Sequence, residues 1–251
     1  MQPSVGQRWV QRWDAQQERY IADREERFRV VGDVVAWSLA RSGEHRERGR
    51  VVDLGCGPGS LGARLVRDVP GVEVVGVDAD PLLLGLARTA EGVRTVRADL
   101  TDPGWIYEVG LDGPWDAAVS STALHWLAPG DLERLYATLA ARLRPGGVFV
   151  DADHRALDGS DAADLGRHVR HARAVRAGVV DNEDWASWWD GVLADPDLGP
   201  LVDTRSDDTV AHSSENGLTV GEQTAMLREA GFATVTPVWQ CGDDHVLVGV
   251  R

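Results

Sequence analysis

The chain has 251 residues, a formal net charge of -14 at pH 7 and a sequence pI near 4.8. A single α/β domain of this length buries a full core. The acidic balance speaks against nucleic acid or an anionic membrane as partner, because phosphate binding needs a cationic surface. The two cysteines, Cys56 and Cys241, show neither metal spacing nor a disulfide framework. The first twenty residues hold no apolar core of a signal peptide, and no apolar run is long enough to span a bilayer. A cytoplasmic protein acting on a small molecule is the expectation.

The N-terminal segment reads as one long helix or two. Trp13, Gln17, Tyr20, Arg24, Arg27 and Val31 recur at steps of three or four. Val31 and Val35 suit docking on a core, and the stripe continues beyond it through Arg24, Tyr20 and Trp13 as a cover. From residue 50 strands and helices alternate. "RVVDLG" is a buried strand, "GSLGARLVRDV" a helix, "VEVVGVD" a second strand, and "PLLLGLARTAE" a helix with Pro81 in its first turn. "VRTVRAD" and "WDAAVSS" follow as strands. "PGDLERLYATLAARL" is a helix closed by "RPGG", and "VFVDAD" is a fifth strand. Such alternation predicts βαβ units and a parallel sheet, whose ligands sit at the carboxyl ends of the strands. Those ends carry Asp53, Asp78, Asp99 and Ser120.

Residues 155–216 read as an insertion with a helix of Arg and His, "ADLGRHVRHARAVRAG". A second helix, "EDWASWWDGVL", carries Trp185, Trp189 and Val192 along one side. Thr219 and Glu222 then form a capping box for a helix that closes at Gly231. "ATVTPVW" and "HVLVGVR" make a terminal hairpin. The expected fold is a Rossmann-like, seven-stranded, mostly parallel α/β sheet with a terminal antiparallel hairpin and helices on both faces. It forms one domain over 1–251: a helical cap (1–45), the core (46–154 and 217–251) and the insertion (155–216).

Gly55, Gly57 and Gly59 join the first strand to its helix. The nicotinamide fingerprint G-x-G-x-x-G/A fails at Ser60. The spacing present is D-x-G-x-G-x-G, from Asp53 to Gly59. Over residues 50–155 the chain resembles the class I S-adenosylmethionine-dependent methyltransferases, with these residues as motif I, and the closing hairpin is similar to that family's antiparallel last strand. The resemblance implies S-adenosylmethionine as cofactor and S-adenosylhomocysteine as its product. Acid suits the cofactor's cationic amino and sulfonium groups, whereas a dinucleotide brings a pyrophosphate, a poor neighbour for carboxylate. On this reading Asp53 polarises and braces the methionine end beside Gly55, Gly57 and Gly59. Asp78, with Ala79, accepts the ribose hydroxyls. Asp99 accepts the adenine amine, the Leu100 N–H donates to the ring, and Ser120 closes the same end of the sheet. Trp105 either stacks on adenine or packs in the core.

The fourth strand runs into "SSTALHWLAPGDL", which lacks the N/D-P-P-Y type motif of base amino-methylators. It resembles the "LHWL" and "LQWL" turns of small-molecule methyltransferases, in particular carboxyl methylators of the salicylate, jasmonate and trans-aconitate types. The resemblance implies that His125 and Trp126 face the acceptor as the catalytic pair. An indole N–H only donates and an imidazole donates from either tautomer, so the pair suits an oxygen bearing negative charge. O-methylation of a carboxylate or hydroxyl is the expectation. N-methylation of a small amine and a non-catalytic cofactor binder are the alternatives.

Tyr20 or Arg24 is expected to meet the cofactor's carboxylate. Trp13, His154, Trp185 and Trp189 are expected to complete the substrate side. Six of the ten tryptophans (Trp9, Trp13, Trp126, Trp185, Trp188 and Trp189) fall in the cap, the "LHWL" turn or the insertion. Either an aromatic or extended apolar substrate or an added layer with its own core accounts for them. His168 and His171 have spacing for a shared metal, but no cysteine or tight carboxylate cluster completes a site, so no metal is expected. Oligomeric state is left open.

Overall fold

The computed structural model describes residues 1–42, 48–205 and 215–251. The expected cap-to-core boundary at 45/46 and residues 206–214 of the insertion lie outside them. The sheet contains β1 (Gly49–Leu54), β2 (Val72–Asp78), β3 (Val93–Arg97), β4 (Trp115–Ser121), β5 (Leu143–His154), β6 (Thr234–Cys241) and β7 (Asp244–Val250). The helices are α1 (Pro3–Glu18), α2 (Arg24–Ala40), α3 (Ser60–Asp68), α4 (Pro81–Ala87), α5 (Trp105–Glu108), α6 (Pro129–Arg142), α7 (Ser160–Ala177), α8 (Trp185–Ala194), α9 (Gly199–Val202) and α10 (Val220–Glu229).

The strand order is β3-β2-β1-β4-β5-β7-β6. The first five strands pair in parallel, and β7 and β6 close the sheet antiparallel. This is the Rossmann-like plan read from the sequence. Pro237 lies on β6, an edge strand, where its missing N–H removes no ladder bond from the sheet centre.

Strand periodicity distributes the core between the two faces. Val52 and Leu54 of β1 pack with Phe149 and Leu247 against Leu132, Leu135 and Leu139 of α6 and Leu227 of α10. Val51 points the other way. With Val74 and Val119 it packs on Phe28, Val31 and Val35 of α2 and on Leu61 and Leu65 of α3. Both faces are covered, so the central strands are near-continuous apolar runs. The chain crosses from β3 over to β4 on the far side of β1. That reversal opens a crevice above the carboxyl ends of β1 and β4, where such sheets bind ligands.

The N-terminal stripe is not one helix. The chain breaks after α1, and Asp23 adopts the left-handed conformation (φ 60°) immediately before α2. Val31 and Val35 dock on the sheet as expected, while α1 swings across the crevice. Arg27, fully buried, is the rivet of this arrangement: it donates to Asp244 at 2.8 Å and to Ser121 Oγ at 2.9 Å, tying α2 to the ends of β7 and β4. The "RPGG" turn also differs. β5 begins at Leu143, opposite Trp115, and its register then jumps so that Val148 faces Ala117. The residues between bow out, with Gly146 at φ 74° and Arg144 turned onto Asp116.

A third core joins distant segments. Val5 and Trp9 of α1 pack with Leu82 and Leu86 of α4 and with Trp188, Trp189 and Val192 of α8. Trp188, rather than Trp185, is the buried anchor of α8: it is enclosed by the edges of Trp9, Trp13 and Trp189, while Trp185 is 38% exposed. The Thr219–Glu222 capping box starts α10 as its sequence predicts.

Candidate active site

A cavity of about 1580 Å³ lies over the carboxyl ends of β1, β2 and β4, beneath α1 and between α7 and α8. Its floor is the glycine loop. Gly55, Gly57 and Gly59 all have positive φ, at 65°, 53° and 84°. A Cβ on Gly55 would stand 2.4 Å from the Ala123 Cβ, so this glycine lets the loop pack on the turn after β4. A Cβ on Gly57 would meet only Trp13, at 3.9 Å, so Gly57 leaves the floor open toward the cavity.

Strand-end carboxylates form one wall. Asp78 accepts the Gly57 N–H at 2.8 Å and the Asp80 N–H at 2.9 Å, which fixes it beneath the loop. Burial pushes its pKa up to about 6, against the pull of these backbone bonds. Ala79 follows it in the lining. Asp99 Oδ1 accepts from the Thr101 N–H and hydroxyl, both at 2.8 Å, and Leu100 lies beside it. Asp80 caps α4 and holds Arg205 at 2.8 Å.

Three expected contacts do not reach the cavity. Asp53 is 1% exposed, and its carboxylate accepts the Gly62 N–H at 3.1 Å. It braces the first turn of α3 from behind and does not polarise the cavity. Burial pushes its pKa up to about 7. The Ser120 hydroxyl donates to the Leu54 carbonyl at 2.8 Å, lacing β4 to β1. Gly59 caps α3 and packs on Ala87. Trp105 is buried against Trp115, with ring centroids 6.1 Å apart, and packs in the core rather than stacking in the site.

The cap residues are engaged among themselves. Arg24 lines the cavity, but its guanidinium donates to Asp14 at 2.7 Å. Asp14 also accepts from the Ser60 hydroxyl at 2.6 Å and faces Arg64 at 3.1 Å. The carboxylate that Arg24 meets is therefore the protein's own. The Tyr20 hydroxyl accepts the Trp185 N–H at 3.1 Å, fastening the cap to the insertion. Trp13, Trp185 and Trp189 line the cavity roof.

The far wall carries His125 and Trp126 on a 3-10 turn, with ring centroids 4.5 Å apart. The backbone leading into the turn is strained: Thr122 is non-glycine with φ at 52°, a costly conformation for a β-branched residue and one that gathers at functional sites. His125 Nδ1 lies 2.8 Å from Asp153 Oδ2. Burial disfavours the imidazolium, but the Asp153 carboxylate outweighs it, and the His125 pKa is raised. Asp153 is fully buried, yet His125 and Arg155 beside it hold its carboxyl below the usual range. His154 also lines the cavity. Burial lowers its pKa, and its Nε2 has no hydrogen-bond partner among the described residues.

Sequence reasoning missed Asp153 and the polar side of α7, where Arg167, Arg170 and His171 line the cavity. Asp153 had a visible signal, an acid at the end of a parallel strand like those of β1 and β2. The α7 helix stood out as rich in Arg and His, but only the fold turns its Arg167, Arg170 and His171 face inward.

Residues 51–147, from β1 into β5, match the model of a methyltransferase domain. Over this stretch the chain carries a methyltransferase domain. It is 37% identical over 139 residues to a trans-aconitate 2-methyltransferase of Azoarcus sp., covering 55% of this chain and 49% of that protein. A second trans-aconitate 2-methyltransferase, from Deinococcus radiodurans, is 33% identical over 137 residues, covering 53% and 49%. The chain thus spans about half the length of these curated relatives. An O-methyltransferase family protein from Burkholderia thailandensis shares the fold, with a TM-score of 0.55 at 19% identity over 94% of this chain and 62% of that one. Human N-acetylserotonin methyltransferase in complex with S-adenosylmethionine does so at 0.51 and 15%, over 88% and 51%.

The residues present fit the methyltransferase domain's cofactor. The loop floor is open at Gly57, and Asp78 and Asp99 offer carboxylate oxygens at successive strand ends. No helix among the described residues is long and apolar enough to cross a membrane.

Proposed function

We propose that this protein transfers a methyl group from S-adenosylmethionine to a carboxylate oxygen of a small molecule, forming a methyl ester. The observation that carries the reading is the His125 ring: it lines the cavity that the glycine loop floors, and its pKa is raised. A protonated imidazole is a donor, suited to bind and orient an anionic oxygen and unsuited to remove a proton. Trp126 packs against that ring and walls the acceptor side. Arg167 and Arg170 also line the cavity, each paired with a carboxylate of its own, Asp164 at 3.3 Å and Asp243 at 3.2 Å. The relatives named for trans-aconitate, an acid, support the same acceptor class.

When bound, S-adenosylmethionine supplies a methyl group already activated by its sulfonium. Asp78 and Ala79 would hold the ribose end, Asp99 and Leu100 the adenine, and the Gly55–Gly57 backbone the methionine part. The protein's task is alignment and exclusion of water, the main levers for an in-line displacement. A carboxylate acceptor is ionised near neutral pH, so no base is needed. The α1 cover and the tryptophans of α8 close the site and suit an acceptor with an apolar body.

The test is a panel of small carboxylic acids, phenols and amines incubated with S-adenosylmethionine, with products read by mass spectrometry before and after mild alkali. The expected product gains one methyl and loses it in alkali, as an ester does. A methylated product stable to alkali would rule the carboxylate out.

The Asp78 assignment predicts a pH dependence. Its carboxylate is the acceptor form, and its pKa is pushed up to about 6. S-adenosylmethionine affinity should be flat above pH 7 and fall as pH drops through 6, by up to about tenfold per unit where only the ionised form binds. Asp78→Asn should bind weakly at every pH and lose this slope in calorimetric titration.

A further inference from the structure

Behind the His125 ring lies a buried polar cluster whose role the reading above leaves unassigned. Asp153 has no solvent exposure, and both of its oxygens are engaged. Oδ2 faces His125 Nδ1 at 2.8 Å, and Oδ1 accepts the His154 backbone N–H at 2.8 Å. Arg155 stands 3.8 Å from Oδ2 and spends its other arm on Asp151 at 2.5 Å. The Asp153 carboxylate is thus pinned from three sides and unable to turn away from the ring. His125 is fixed in turn, because the Asn216 N–H donates to its backbone carbonyl at 2.9 Å. With Nδ1 committed to Asp153, the cavity is left to the other nitrogen of the ring, Nε2.

The same pairing of carboxylate and imidazole serves in hydrolases to ready a base. Here an acceptor that needs no base reverses its use. A neutral ring bonded through Nδ1–H presents a lone pair at Nε2, which repels a carboxylate. A charged ring presents Nε2–H, which binds it. We propose that Asp153 is a positioning residue that holds His125 charged and turned, so that Nε2–H is the anchor of the acceptor carboxylate. This rests on the carboxylate reading above. The other groups facing the ring act in the same sense: Glu215 from the segment before α10 and Asp151 from β5 both favour the charged form. Arg155 and His154 face Asp153 from its far side.

The test compares wild type, Asp153→Asn and Asp153→Glu by two readouts. One is the NMR titration of the His125 ring in the ligand-free protein, assigned by its absence in His125→Gln. The other is the pH profile of kcat on the acid substrate. In wild type the ring should titrate above the ordinary value of about 6.5, and kcat should hold in acid and fall as pH rises through that titration. In Asp153→Asn the titration and the alkaline fall should both move down by about one unit. There kcat should drop about 100-fold at pH 8 from lost charge and orientation. Asp153→Glu keeps the charge, should restore the titration, and serves as the probe of orientation if the Asn variant does not fold.

An unmoved titration in Asp153→Asn overturns the positioning role and leaves the carboxylate reading standing. A kcat that falls toward acid instead identifies His125 as a base and overturns the donor role. A moved titration with an alkali-stable product overturns the carboxylate reading and the donor role with it.

Discussion

Gly57→Leu is expected to give a folded protein that no longer binds S-adenosylmethionine. Two costs must be separated. The first is backbone strain, since Gly57 sits at φ 53°, where an L-residue loses about 1–2 kcal/mol. The second is occupancy: a Cβ there meets only Trp13 at 3.9 Å, so the new side chain grows into the open floor where the cofactor's methionine part is proposed to lie. Gly71→Leu isolates the strain, because Gly71 has φ 76° and nothing within 4 Å of its Cβ position. The two variants should melt at similar temperatures. Only Gly57→Leu should lose affinity, by at least about 100-fold, or some 3 kcal/mol. Gly55→Leu is a different lesion, since its Cβ collides with Ala123 and the fold itself suffers. Undiminished affinity in Gly57→Leu would remove the loop from the binding site.

The second large effect belongs to the wall opposite. His125→Ala should cut kcat by about 100-fold or more while leaving cofactor affinity within about twofold, since the ring orients the acceptor and does not hold the nucleoside. Trp126→Phe keeps an aromatic wall and should cost less, about tenfold. The sign of the wild-type pH profile distinguishes the two uses of the imidazole. An imidazolium donor sustains the rate in acid and loses it as pH rises through its raised pKa. A base does the opposite. Full turnover in both variants would move acceptor recognition to α7 and α8.

The sheet was legible because its signals are local and repeated: apolar runs, acids at strand ends, and helices between them. The positions of individual acids were not equally legible. Alternation from Val51 puts Asp53 on the face covered by α3, which is why it braces that helix instead of entering the crevice. Asp153 follows His125 by 28 residues, and only the parallel pairing of β4 with β5 brings them together. The break between α1 and α2 carries no Gly or Pro, so the sequence left one helix or two open there. Arg24 looked free because its partner Asp14 lies on the other side of that break. The insertion's tryptophans were ambiguous because helical spacing does not separate a residue of an added core from one that lines a cavity. Trp188 and Trp189 are buried in the third core, and Trp185 and Trp189 line the cavity.

The core shared by α1 and α8 links two stretches that lie more than 160 residues apart, through Trp9, Trp188 and the bond from the Trp9 indole to Asp195 at 2.8 Å. Anyone grafting a new acceptor pocket onto this scaffold inherits that bond between the ends. A chimera that imports a foreign α7–α9 segment but keeps its own first helix receives half of one tryptophan cluster facing half of another. Swapped together, the two segments travel as a cassette, with the glycine loop and β1 to β5 left as an unchanged chassis.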